Sequence, residues 1–130
     1  MGRHRSLIGG TSHLPPPFRK TLGAALLRRI FTDEVGYINV TKNVVALEDI
    51  FDLVNHIVYP LESHGKLGGK SAGLFLASQV LRRVTASSPH LSGIKLPKTW
   101  YLSSDALLEF LHYNNLRELY FRKYMDIGHV

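Results

Sequence analysis

The residues of this chain best suited to chemistry lie between positions 64 and 74, which read HGKLGGKSAGL. Gly68 and Gly69 followed by Lys70 and Ser71 are the types that bind phosphate. Glycine reaches φ > 0 and leaves no Cβ between backbone and ligand, the N–H groups at a helix start point outward, and an ammonium adds a full positive charge. A Walker A loop has the form G-x-x-x-x-G-K-[ST]. With Gly69-Lys70-Ser71 as its end, the leading glycine belongs at position 64, where the chain has His64, and the glycine is Gly65. The approach, Tyr59-Pro60-Leu61-Glu62-Ser63, is polar and turn-like, whereas a Walker loop follows a buried apolar strand. The Walker reading therefore fails. An anion-binding helix entrance of another kind stays open beside the plainer alternative, a glycine-led turn with a solvated Lys70. His64 and Lys66 adjoin the glycines and are candidate supporting groups, each otherwise an exposed side chain.

Those residues need a helix behind them. Leu74, Ala77, Leu81 and Val84 mark one face of a helix over 71–86, which Ser87-Ser88-Pro89-His90 breaks. Upstream, Leu22, Leu26 and Ile30 predict a helix over 18–32. Tyr37-Ile38-Asn39-Val40 and Val44-Val45-Ala46-Leu47 are β-branched and short, and read as strands or extended connections. Phe51, Val54 and Val58 repeat at helical spacing from Glu48, with Glu48, Asp49 and Asp52 complementing the helix dipole and Pro60 as the stop. Downstream, Ile94 to Leu96 and Thr99 to Leu102 read as a strand pair, or as one strand interrupted by Pro97. Trp100 reads as a core or interface anchor. Ser103 or Ser104 can cap a helix that buries Leu107, Leu108 and Leu111. A last helix is expected over 115–124, with Leu116, Leu119, Tyr120 and Tyr124 on its apolar side. The stretch before 18, with Gly9-Gly10 and Pro15-Pro16-Pro17, disfavours a helix and reads as a mobile arm.

Composition bounds the function. A chain of 130 residues with 45% apolar content is the size of one domain with a real core. The absence of cysteine rules out a disulfide scaffold and fits a reducing, cytoplasmic setting. No apolar run approaches the roughly 20 residues of a membrane span. The net charge of +6 is local: Arg3, Arg5, Arg19, Lys20, Arg28 and Arg29 precede the first acid, Asp33, and from there ten basic residues face ten acidic ones. That placement argues for a solvated arm and against a basic groove built by the fold. The seven histidines form no i, i+4 pair and no H-E-x-x-H arrangement, so no metal site is expected.

Two segments together point to a family. Leu67-Gly68-Gly69-Lys70-Ser71-Ala72-Gly73-Leu74, an apolar helix, and then Ile94-Lys95-Leu96-Pro97-Lys98-Thr99-Trp100-Tyr101-Leu102-Ser103-Ser104 with Leu107 and Phe110 beyond resemble the start of the ATP-binding domain of phosphoenolpyruvate synthase and pyruvate phosphate dikinase. That family opens with a G-G-K-x-A-x-L loop, a helix, a strand containing V-P-x-G-[FY], and a helix with an aromatic and Phe-Leu. The likeness covers about 63–111. Thr99 stands where the family usually has glycine, and Ser71 where glycine or alanine is frequent. The resemblance implies an α+β fold, an incomplete ATP-grasp type nucleotide-binding domain over 63–130; the residues before it read as a helical lead-in over 21–62 and a flexible basic arm over 1–20. It implies ATP as ligand, with Lys70 contacting nucleotide phosphate, Gly68 and Gly69 shaping the loop, and Ser71 beside them. The family's Arg-Ser-Ser strand, magnesium carboxylates, phosphohistidine domain and pyruvate-binding barrel have no counterpart here. The expectation is therefore a partial ATP-binding module of a dikinase-type phosphotransferase, with no catalytic residue of its own, needing Mg²⁺ only as part of the complete enzyme and inactive alone.

Two other functions stay open. An ATP-grasp portion without its remainder would expose apolar surface suited to self-association or to the missing part of the enzyme, which is an interaction role without catalysis. A small basic nucleic-acid-binding protein using the N-terminal arm is the third. No membrane partner is expected.

Overall fold

A computed structural model of the chain describes residues 13–60 and 62–122. They form a mostly helical α+β arrangement: α1 (Pro16–Ile30), α2 (Val35–Val44), α3 (Leu47–Val54), β1 (Ile57–Val58), α4 (Gly68–Ser87), a 3₁₀ turn (Pro89–Leu91), β2 (Tyr101–Leu102), α5 (Ser104–Tyr113) and α6 (Arg117–Arg122). The two strands pair in parallel, Ile57 with Tyr101 and Val58 with Leu102. Of the arm expected over 1–20, residues 1–12 lie outside the described part. Residues 16–20 open α1, because proline in a first helical turn lacks only an N–H that would have no partner there. The Pro15 carbonyl accepts from Phe18 N and Arg19 N at 3.0 and 3.1 Å.

The strands expected from Tyr37 to Val40 and from Val44 to Leu47 are instead helical over α2 and at the start of α3, joined by extended Val45 and Ala46. Capping overrides the β propensity. The Glu34 carboxylate accepts Gly36 N and Tyr37 N at 2.9 and 2.8 Å, which satisfies N–H groups that the helix leaves open. The turned chain then buries Ile38 and Thr41. In α3 the Asp49 carboxylate reaches back to Ala46 N at 2.8 Å. Leu47, Ile50 and Leu53 are its buried face, where Phe51, Val54 and Val58 were expected. The helix ends before Pro60, since Ile57 and Val58 are drawn into the sheet.

In α4 the buried residues are Ala72, Phe75 and Gln79 instead of the stripe Leu74, Ala77, Leu81 and Val84. Phe75 sets that rotation by stacking on Phe31, with centroids 5.3 Å apart, while Tyr37 meets Phe31 edge-on at 5.9 Å. The core gathers Leu27, Phe31, Ile38, Val45, Ile50, Leu53, Ala72, Phe75 and Tyr101. Of the strands expected over 94–102, Tyr101 and Leu102 alone are paired, after an irregular run that contains Pro97. Trp100 is 56% exposed and so is no core residue; its ring lies against His56 and 5.7 Å from the Lys98 ammonium. No residue of α5 is buried, so Leu107 and Leu108 face outward with Leu111 half-buried. The last helix begins at Arg117 instead of at about 115, because Asn115 takes φ +55° and breaks the path between α5 and α6. Tyr124 lies outside the described residues.

Candidate functional site

β1, the connection that follows it, α4 and β2 form one parallel crossover unit. The loop before α4 and the start of α5 therefore leave from the carboxyl ends of the two paired strands. Ligands of open parallel α/β sheets bind at that end. Tyr101 N donates to the His56 carbonyl at 2.9 Å and Ser103 N to the Val58 carbonyl at 3.1 Å, which sets Ser103, Ser104 and Asp105 beside the loop.

Gly68 has φ +77°, a left-handed turn that glycine enters without steric cost, and it leads into a helix of 20 residues. A Cβ at Gly68 or Gly69 would meet no atom within 4 Å. Gly68, Gly69 and Lys70 are exposed and Ser71 is half-exposed. The first-turn N–H groups that an α-helix leaves without intrahelical partners thus open to solvent, beside the Lys70 ammonium. The sequence-predicted residues Gly68 to Ser71 do stand together at one helix entrance. A 480 Å³ cleft borders Asp105, Leu108, His112 and Arg117, and none of Gly68 to Ser71 lines it.

The upstream arm of the loop is tied down by residues that sequence reasoning did not single out as a site. The Asp105 carboxylate accepts from Ser63 Oγ at 2.8 Å, from His64 N and Gly65 N at 2.9 Å each, and from Ser103 Oγ at 2.5 Å. Arg29 donates from the other direction, to the His64 carbonyl at 3.2 Å and the Ser63 carbonyl at 3.3 Å. Ser104 N bonds the Lys66 carbonyl at 3.0 Å, and Leu67 N the Ile30 carbonyl at 2.8 Å. His64 thus contributes its backbone. Lys66 forms an ion pair with Asp33, whose carboxyl it holds below the ordinary value. The His64 side chain is exposed, and the Lys66 ammonium is shared with Asp33. Ser103 occupies the N-cap of α5, yet its hydroxyl serves Asp105 and makes no cap bond. The signal for this cluster was Ser103-Ser104-Asp105 itself: three cap-type residues in a row, where one helix start needs one.

The Ser103 hydroxyl, opposed by partial burial and helped by the Ser63 hydroxyl and the Gly65 and His64 N–H groups, holds the Asp105 carboxyl far below its ordinary 3.8. A carboxyl depressed in the folded state adds stability that is full above its unfolded pKa and is lost as pH falls toward its folded pKa. Stability should therefore decline from about pH 4 downward. In urea unfolding, Asp105→Asn should lie further below the wild type at pH 7 than at pH 3, and equal differences at both would show that the carboxylate is not held in this way.

Two of the basic residues that made the N-terminal segment positive have partners within the fold: Arg29 in the loop, and Arg19 with Glu48. Among the described residues no group of three or more His, Asp or Glu side chains is placed to hold a metal ion, and no helix is long and apolar enough to cross a membrane. No family model, curated protein or solved structure matches the chain.

Proposed function

We propose that the chain is a nucleotide phosphate-binding module of the ATP-grasp type, the opening part of the ATP-binding domain of a phosphoenolpyruvate synthase or pyruvate phosphate dikinase. The observation that carries the reading is the left-handed Gly68 turning into a long helix with Lys70 exposed in its first turn. The residues present fit the phosphate end of ATP. First-turn N–H groups donate to the oxygens, the absent Cβ atoms allow close approach, Lys70 supplies charge, and the Ser71 hydroxyl adds a donor. The family resemblance supplies the nucleotide. Phosphoryl transfer needs metal, donor and acceptor held together, so this module's share is to hold the phosphates, not to turn over.

Titration of the full chain with ATP, followed by NMR, should shift the amides of Gly68 to Ala72 first. Lys70→Ala should weaken ATP about tenfold, the scale of one charge-assisted contact. Because Lys70 is exposed, thermal stability should stay near wild type. Unchanged ATP affinity in that variant would sink the proposal.

A second reading, an interaction role, is favoured by the apolar residues on β2 and α5: Leu102 is 66% exposed, Leu107 60%, Phe110 57% and Tyr113 87%. Such a role would make the unfolding midpoint rise with protein concentration in the absence of ATP.

A further inference from the structure

We infer that Asp105 is a positioning residue of the phosphate site, whose carboxylate fixes residues 63–65 so that the chain arrives at Gly68 with the first-turn N–H groups and Lys70 turned outward. The inference rests on the phosphate reading above. One carboxylate accepts from three consecutive residues of the loop, through Ser63 Oγ, His64 N and Gly65 N, and from Ser103 Oγ on its own segment. Arg29 takes the carbonyls of Ser63 and His64. The peptide units there are thus held through N–H and C=O groups at once, which removes their freedom to rotate. The approach is so close that a Cβ on Gly65 would stand 2.7 Å from Asp105 Cγ and 2.7 Å from Ser104 Oγ. Bonds to the Lys66 carbonyl and from Leu67 N carry the anchoring up to the residue before Gly68. A group held this firmly on one side presents donors on the other without reorganisation when an anion arrives.

The opposite role for the same contacts is a plug: Asp105 occupying N–H groups that would otherwise bind phosphate. The two roles differ in sign. A plug weakened by Asp105→Asn, whose neutral amide oxygen accepts less strongly, loosens its hold on the N–H groups and loses its negative charge, and both changes tighten ATP. A positioning carboxylate removed by the same substitution loosens ATP even though the charge change by itself favours it. A purely structural role remote from the site moves neither way. The anchored N–H groups are those of His64 and Gly65, while the helix-entrance groups at Gly68 to Lys70 stay open, and that division favours positioning.

The test uses the full chain with ATP as probe. Wild type, Asp105→Asn, Lys70→Ala and the double variant Ser63→Ala with Ser103→Ala are titrated by NMR, and hydrogen exchange is read at His64 and Gly65. Asp105→Asn is expected to weaken ATP about tenfold, as loss of an orienting partner does, and to lower protection at His64 and Gly65. Lys70→Ala should lose ATP affinity with that protection intact. The serine double variant keeps the negative charge and should weaken ATP in the same direction. It also decides the matter should Asp105→Asn fail to fold. Equal or tighter ATP binding in the Asp105 or double-serine variant, with wild-type binding still dependent on Lys70, overturns the positioning role alone. Wild-type binding that does not depend on Lys70 overturns the phosphate reading, and this inference with it.

Discussion

Replacing Phe31 with alanine is expected to lower the free energy of unfolding by about 3–5 kcal/mol, the usual cost of emptying a buried aromatic site. Phe31 is 1% exposed and closes α1, where its N–H still bonds the Leu27 carbonyl at 2.9 Å. Its ring stacks on Phe75 of α4 and receives Tyr37 of α2 edge-on, so one side chain joins three helices. The neighbours cannot close over the gap without moving whole helices, which places the loss toward the upper part of that range. Against a total of order 5–15 kcal/mol, this is enough to populate the unfolded state. Urea unfolding followed by far-UV circular dichroism measures it. Phe18→Ala, at a residue 57% exposed, is the control and should change stability by less than about 0.5 kcal/mol. Equal effects at the two positions would mean that the aromatic cluster is not the centre of the fold.

Gly65→Ala should cost about 2–3 kcal/mol, although it adds a single methyl group on a loop. The reason is the carboxylate behind it. Both Asp105 Cγ and Ser104 Oγ lie 2.7 Å from the place of the new Cβ, and Asp105 cannot withdraw without giving up Ser63, His64, Gly65 and Ser103. Combining the change with Asp105→Ala removes the carboxylate and leaves only the Ser104 hydroxyl, which can rotate away, so the double variant should be more stable than the sum of the two single losses implies. Strict additivity in urea unfolding would show that the overlap is relieved elsewhere. Alanine at Gly69, where a Cβ meets nothing within 4 Å, gives the comparison for a loop glycine without a close neighbour.

The two substitutions probe different layers of one arrangement. The aromatic cluster sets the position of α4 against α1 and α2, and the Asp105 and Arg29 contacts then set the path of the chain into α4. A change in the first layer should move both stability and any anion affinity. A change in Lys70 should move affinity alone.

How much of this was legible beforehand follows from the range of each interaction. The helices α1, α3 and α4 were readable because spaced apolar residues and local breakers act within a few positions, and the glycine-led entrance at Gly68 to Ser71 was readable for the same reason. The helical state of Val35–Val44 was hidden by its β-branched residues, since the deciding term is a short-range cap from Glu34 that propensity does not count. Which face each helix buries was decided by tertiary contact. Phe75 rotates α4 toward Phe31, 44 positions away along the chain, and an apolar stripe several residues wide leaves that choice open. For the anchoring of the loop the sequence marked one end, the run Ser103-Ser104-Asp105, and none of the partners. Asp105 and Arg29 stand about 40 and 35 positions from the residues they hold; the parallel pairing of Ile57 with Tyr101 brings the first beside the loop, and the docking of α1, with Leu67 N on the Ile30 carbonyl, brings the second. Residue types and local spacing determined that a glycine-led turn opens a helix. The tertiary structure decided what holds that turn in place, because hydrogen bonds between distant segments exist only once the core and the strand pair have set their distance.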